Sequence, residues 1–280
     1  MKLELKKFDI SQITDDKVVV MIGKRNTGKS FLIRDLLYRH TELPIGTVIS
    51  GTESANHFYE EMIPKIFIHD EYRADILDNV VKRQKLILKK ISKETVDFNS
   101  TSKIDPRSFL ILDDCLYDSS WTKDINIRAL FMNGRHLKML FVISMQYPLG
   151  IPPNLRTNID FIFILRENIV ANRKRIYDNY AGMFPTFEVF CQVMDQCTEN
   201  FECLVIDNTT KSNKLEDTVF WYKADTHNDF TLCMKQYWEI SKNMSAEDDD
   251  DVEPKYDPSK FRSNKNNLRI NVKKNAFDRK

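Results

Sequence analysis

The chain has 280 residues, with 42 Lys or Arg against 41 Asp or Glu and a formal net charge of +1. This length suits one α/β domain with appendages, and the balance of charge excludes a protein that coats polyanions through bulk charge, so any nucleic-acid surface must be local. Five cysteines, odd in number and without a C-x-x-C pair, suggest neither a disulfide framework nor a zinc site, and the lack of a signal-peptide pattern or of about 18 consecutive apolar residues predicts a soluble intracellular chain with no membrane partner.

Residues 17–22 (KVVVMI) form a β-branched run ending at Gly23, which predicts a buried parallel strand followed by a turn. Phe31, Leu32, Leu36 and Leu37 then recur at helical spacing, so the chain opens strand, loop, helix. A second strand is expected over 47–50, a short helix over 55–62 and a strand over 65–68. The Lys-rich stretch 72–98, apolar at 76, 77, 80, 81 and 87, predicts an amphipathic surface helix, and 99–106 a polar loop. Three further apolar runs of strand length follow at 109–112, 139–144 and 161–165, with a helix over 124–132. About six strands alternating with helices favour a mostly parallel sheet covered on both faces. A last helix is expected over 234–242. Beyond it the run EDDDD and the Asn- and Lys-rich end lack an apolar pattern and predict a disordered tail, acidic then basic. The expected division is a domain over 1–243 and a tail over 244–280.

Gly23-Lys24-Arg25-Asn26-Thr27-Gly28-Lys29-Ser30 fits G-x-x-x-x-G-K-[ST] in full and lies between the first strand and the first helix, as that motif requires. Glycine lets the backbone wrap closely round phosphate oxygens, while exposed N–H groups and the helix N-terminus supply positive potential. All eight residues are therefore candidates to bind ATP or a close relative. Lys29 would reach the β- and γ-phosphates and Ser30 would hold Mg²⁺. Lys24 and Arg25 stand at positions that vary freely in such loops and carry no catalytic part here. The expected fold is α/β: a RecA-like P-loop NTPase with a mostly parallel central sheet flanked by helices, plus the disordered C-terminal tail.

A P-loop needs a carboxylate for the metal at the end of a neighbouring apolar strand, and Phe109-Leu110-Ile111-Leu112-Asp113-Asp114 supplies two. Asp113 is the candidate Mg²⁺ ligand, and Asp114 the candidate catalytic base that orients and deprotonates the attacking water. The pair favours hydrolysis over a nucleotide-dependent switch. The next strand ends at Gln146, where ligands bind in open parallel sheets, and its amide is a candidate for the γ-phosphate or the lytic water. Arg135, after an apparent helix, is a candidate arginine finger acting within the chain or from a neighbouring subunit. An arginine there also complements the helix dipole, and Arg128, Arg156, Arg166 and Arg173 are alternatives. His136 reads as structural, with no second ligand at metal spacing.

In this order, 23–30, 110–114, Gly134-Arg135-His136 and 141–146 followed by Tyr147-Pro148 resemble the FtsK/HerA superfamily of DNA-pumping ATPases. The closest likeness is to the genome-packaging ATPases of nucleocytoplasmic large DNA viruses, the poxvirus-type group, and NGRHLKMLFVISMQYPLGIPPNLRTNIDFIFILREN is its most characteristic stretch. The likeness spans residues 15 to 225. The superfamily's second acidic residue is usually Glu; Asp114 is one methylene shorter. The resemblance implies Mg²⁺-dependent ATP hydrolysis between subunits of a ring, a hexamer, driving double-stranded DNA through its centre into a preformed capsid. It also implies capsid or portal proteins as partners, and a location in the virus factory of the host cytoplasm or in the virion.

Three basic stretches are available for phosphate contacts: 82–93, Arg173-Lys174-Arg175, and the segment from Lys255, with nine Lys or Arg against two Asp. Each also reads as a solvated face or a solubilising tail. A helicase or recombinase-like ATPase, or a switch or scaffold with little turnover, are the competing readings.

Overall fold

The computed structural model describes residues 3–98, 102–115, 119–148 and 150–250. Its strands are β1 (Val18–Ile22), β2 (Gly46–Ser50), β3 (Ile68–His69), β4 (Ser108–Asp113), β5 (Met139–Met145), β6 (Phe161–Ile164), β7 (Glu202–Asp207) and β8 (Val219–Lys223). Its α-helices are α1 (Lys29–Tyr38), α2 (Glu53–Asn56), α3 (Ala74–Phe98), α4 (Ile125–Asn133), α5 (Pro153–Arg156), α6 (Val170–Tyr180), α7 (Phe187–Cys197), α8 (Leu215–Thr218) and α9 (Lys235–Asp250).

One sheet takes all eight strands in the order β3-β2-β4-β5-β1-β6-β7-β8. It is parallel from β3 to β6 and antiparallel through β7 and β8. β1, β2, β4, β5 and β6 are buried along their whole length, as parallel strands with both faces covered must be. The two-residue period of a strand sorts their side chains between two cores. Val18, Val20, Ile22, Leu110, Leu112, Phe141 and Ile143 pack on one face with residues of α3, α4, α6 and α7. Val19, Met21, Phe109, Ile111, Leu140 and Val142 pack on the other with Leu32, Ile33, Leu36 and Leu37 of α1. The mostly parallel, helix-covered sheet expected from the sequence is the fold observed.

Details differ. Two strands beyond the expected six are present, β7 and β8. They form the antiparallel side of the sheet; β7 is buried from Cys203 on, and β8 is only partly buried, at Val219 and Tyr222, with Phe220 and Trp221 part-buried. The helix expected over 55–62 is confined to Glu53–Asn56, because His57 adopts a left-handed φ of 51° that a helix cannot continue through. The strand expected over 65–68 is a 3₁₀ turn at Lys65–Phe67 leading into the two-residue β3.

The chain divides into a compact unit, Met1–Ser241, and a remainder, Lys242–Lys280. The last helix runs to Asp250, so residues 244–250, expected to be disordered, are helical; Met244, Ala246 and Glu247 are strong helix formers. The rest of the expected tail lies outside the described residues. All five cysteines are free thiols. Among the described residues no helix is long and apolar enough to cross a membrane.

Candidate active site

The site grows out of the C-terminal end of β1. The Gly23 N–H donates to the Met145 carbonyl at 3.0 Å, holding the start of the loop against β5. A Cβ on Gly23 would stand 2.7 Å from Thr27 Oγ1 and 2.8 Å from Leu165 Cβ, so only glycine lets the loop close here. Gly28 has φ 105°, the left-handed backbone open to glycine, and turns the chain into α1. No side chain caps α1, which leaves the N–H groups of its first turn for an anionic ligand. Lys29 is buried, and its Nζ donates to the carbonyls of Gly23 at 2.8 Å and Lys24 at 3.2 Å. Ser30 is exposed on the first turn of α1.

Asp113 closes β4, one strand removed from β1. Its Cα pairs in register with Ser144 of β5, which pairs with Met21 of β1. The Asp113 carboxylate accepts a hydrogen bond from Ser144 Oγ on Oδ1 and one from Tyr59 Oη on Oδ2 at 2.9 Å. Burial pushes this carboxyl above the usual aspartate range; the two hydroxyl bonds and Lys29 oppose the rise, and the neighbouring charge of Asp114 adds to it.

Asp114 has φ 47°, a left-handed conformation that Asp tolerates better than most residues. That turn separates it from Asp113. Its Oδ2 lies 3.2 Å from Lys29 Nζ and accepts from Gln146 Nε2 at 3.0 Å. The structure thus brings Lys29, Asp114 and Gln146 into one cluster, with Asp113 on the preceding residue. A cation for phosphate, a carboxylate able to take a proton and an amide able to orient a water meet beside an anion-binding loop.

Arg135 is not brought to this cluster. It pairs with Asp160 Oδ1, and Asp160 Oδ2 accepts from the Val18 N–H at 2.9 Å, at the opposite end of β1. At about 3.3 Å per residue, the length of β1 puts Arg135 more than about 10 Å from the P-loop of its own chain. Of the alternatives, Arg173 is committed to Asp195 at 2.7 Å and to the Glu167 carbonyl, and Arg156 to Asn179. Arg166 follows β6, on the P-loop side of the sheet, with its Nε on Asn168 at 3.1 Å. Arg128 is exposed on α4.

No model of a known protein family matches the sequence. The uncharacterized protein L437 of Acanthamoeba polyphaga mimivirus is 37% identical over 286 residues, 97% of each chain. The uncharacterized protein 088R of Invertebrate iridescent virus 3 is 43% identical over 211 residues, 75% of this chain and 76% of that one. Among solved structures, the genome packaging NTPase B204 of Sulfolobus turreted icosahedral virus 2, in complex with ATP-gammaS, superposes with a TM-score of 0.51 at 16% identity, over 76% of this chain and all of that one. The chain belongs to one family with these proteins of mimivirus and the iridescent viruses. Identity to the viral proteins over most of their length carries the membership; the likeness to B204 is one of fold.

Within this family frame, sequence reasoning missed three residues of the site. Tyr59 and Ser144 hold the Asp113 carboxylate. Tyr59 is itself fixed by its N–H on Glu53 Oε1 at 2.8 Å. Glu167, buried just after β6, binds Lys24 of the P-loop at 2.6 Å. Ser144 was legible as the residue before Met145-Gln146 on a strand beside β4. Tyr59 lies in no recognisable motif, and Glu167 falls near the end of the stretch most characteristic of the resemblance without a role being assigned to it there.

Proposed function

We propose that the protein is an ATP-hydrolysing motor that moves double-stranded DNA, packaging a viral genome as part of a ring, a hexamer. The observation that carries the reading is Asp114, held between Lys29 of the P-loop and Gln146. In a site poised to hydrolyse rather than merely to hold nucleotide, a carboxylate and an amide stand where the terminal phosphate and its attacking water meet. Lys29 would leave Asp114 for the β- and γ-phosphates, and Asp114 would then accept the proton of the water that Gln146 orients. The protein named above as B204 is a packaging NTPase seen with an ATP analogue, which supports ATP as the substrate. Arg135 is retained as a residue acting on a neighbouring subunit's site.

Ser30 and Asp113 are the residues that would hold Mg²⁺. Among the described residues no cluster of three or more His, Cys, Asp or Glu stands ready to hold a metal. A single carboxylate and a single hydroxyl fit a hard cation whose remaining ligands are phosphate oxygens and water. Bound there, the ion supplies positive charge at the phosphate oxygens. Asp113 has to be ionised for this role, and Tyr59 Oη helps to keep it so. Tyr59→Phe removes that hydrogen bond, so the carboxyl rises further and activity is lost at a higher pH. A hydrogen bond to a charged group contributes about 1.5 kcal/mol or more, so the acid limb of kcat/KM against pH is expected to move up by about one pH unit. An unmoved limb would remove Tyr59 from the support of Asp113.

Duplex DNA requires phosphate contacts with little base reading. Lys82, Lys85, Lys89 and Lys93 of α3 recur at helical spacing and are exposed. Lys82 pairs with Asp78 at 2.6 Å; the other three have no ion pair among the described residues. They form the stripe best suited to track a phosphate backbone. ATP hydrolysis is expected to run several-fold faster with double-stranded DNA than with single-stranded or no DNA, and Lys85→Glu, Lys89→Glu and Lys93→Glu together to suppress that response. A low rate indifferent to duplex overturns the motor and leaves a nucleotide-dependent switch.

A further inference from the structure

The P-loop is tied to a second element through a side chain that neither anchors the phosphate cradle nor belongs to the acidic strand. Lys24 Nζ lies 2.6 Å from Glu167 Oε1. The lysine is partly exposed at 39%, whereas the glutamate side chain is buried at 6%. A buried carboxylate is costly unless it is paired and hydrogen-bonded, and Glu167 is both. Its Oε1 also accepts from the Ile169 N–H at 2.8 Å, and its Oε2 from Asn172 Nδ2 at 3.0 Å. Burial alone would raise the carboxyl, but Lys24, the Ile169 N–H and the Asn172 amide together hold it below the ordinary glutamate range.

Those partners place Glu167 at the entrance of α6. Ile169 is the N-cap residue and makes no side-chain cap of its own, so the glutamate serves the helix start, where a negative charge is also favoured by the dipole. The Glu167 carbonyl accepts from Arg173 Nε at 2.5 Å, fixing the next turn. Further along, α6 presents Lys174 and Arg175 to solvent. The guanidinium of Arg175 lies 5.7 Å from the ring centroid of Tyr147, which directly follows Gln146. The basic helix therefore touches the nucleotide site twice, through Lys24 at the P-loop and through the residue after Gln146.

We infer that Glu167 is a positioning residue that couples the P-loop to α6, through the Lys24–Glu167 ion pair, so that the state of the nucleotide site reaches the basic Lys174–Arg175 face. The inference rests on the reading of the P-loop as a nucleotide site. Phosphate and Glu167 compete for the ammonium of Lys24: a phosphate that draws Lys24 away removes the cation from a buried carboxylate at the start of α6. That helix then has to adjust. Glu167→Gln keeps the size and one acceptor for Ile169 but removes the charge that holds Lys24.

The test is amide hydrogen exchange across Val170–Tyr180 in the full chain, with and without ATP-gammaS, after saturation has been established by direct binding. In the wild type the nucleotide is expected to change exchange in this helix by several-fold. In Glu167→Gln the difference should vanish while ATP-gammaS still saturates the protein. Lys24→Met breaks the same pair from its exposed end and keeps the Glu167 carboxylate with its bonds to Ile169 and Asn172; compared at ATP-gammaS concentrations that saturate it, it should abolish the difference as well, which covers a misfolded Glu167 variant. A purely structural role for Glu167 would shift exchange equally in both states. Saturable binding with no response in the wild type, or with an equal response in the variants, overturns the coupling alone. Failure of the wild type to bind ATP-gammaS overturns the nucleotide reading and the coupling together.

Discussion

Lys29→Ala is expected to lower the ATP turnover number by about 10²–10³-fold or more, the range for removing one charged or hydrogen-bonding group that stabilises a developing oxyanion. Lys29 leads α1 and is the one buried lysine among the described residues, at 7% exposure. Its Nζ holds the loop shut on the carbonyls of Gly23 and Lys24 and meets Asp114 at 3.2 Å. Each of these partners survives its loss. The Lys24 carbonyl is part-exposed, the Gly23 N–H still holds the start of the loop to β5, and Asp114 keeps Gln146. The substitution should therefore spare the fold while removing the P-loop cation that meets Asp114. The measurement is steady-state hydrolysis together with a thermal melt and nucleotide affinity. Retained turnover in a folded variant removes the phosphate role of the loop, and with it the motor.

The parts of the site that were legible in the sequence are those whose chemistry is dictated locally. Gly23 and Gly28 are fixed by a close approach and by a left-handed backbone, and Lys29 follows because a helix must begin there. Asp113 and Asp114 announce themselves by ending an unbroken apolar strand, and Gln146 by ending the next. What was not legible depends on contacts between distant segments. Tyr59 reaches Asp113 across 54 residues, and only because β2 lies beside β4 and α2 stops short at His57. Glu167 follows β6 in a charged stretch that reads as surface, yet the fold buries it against Lys24. Arg135 shows the converse. Its place after a helix and before a strand suggested a finger, but that same place puts it at the end of the sheet where strands begin, on Asp160. Local pattern identifies which residues end strands; the order of strands decides which ends meet.

Asp114→Asn is expected to reduce the turnover number by about 10²–10⁴-fold, the contribution of a positioned general base, while leaving nucleotide affinity unchanged or slightly tighter. The substitution suits the position. Asn accepts the left-handed backbone at φ 47° at least as readily as Asp, so the turn after β4 should persist. Its carbonyl can still receive the Gln146 amide, now 3.0 Å from Oδ2. What is lost is the basic oxygen and the charge that draws Lys29 away from a phosphate. Affinity and turnover should therefore part company, whereas a merely structural role for Asp114 would lower both along with the melting temperature. The contrast with Tyr59→Phe sharpens the assignment. That variant acts through Asp113 and is expected to move the acid limb of the pH profile, while Asp114→Asn should depress the plateau itself. Full turnover in Asp114→Asn, with the fold intact, would transfer the base role away from Asp114.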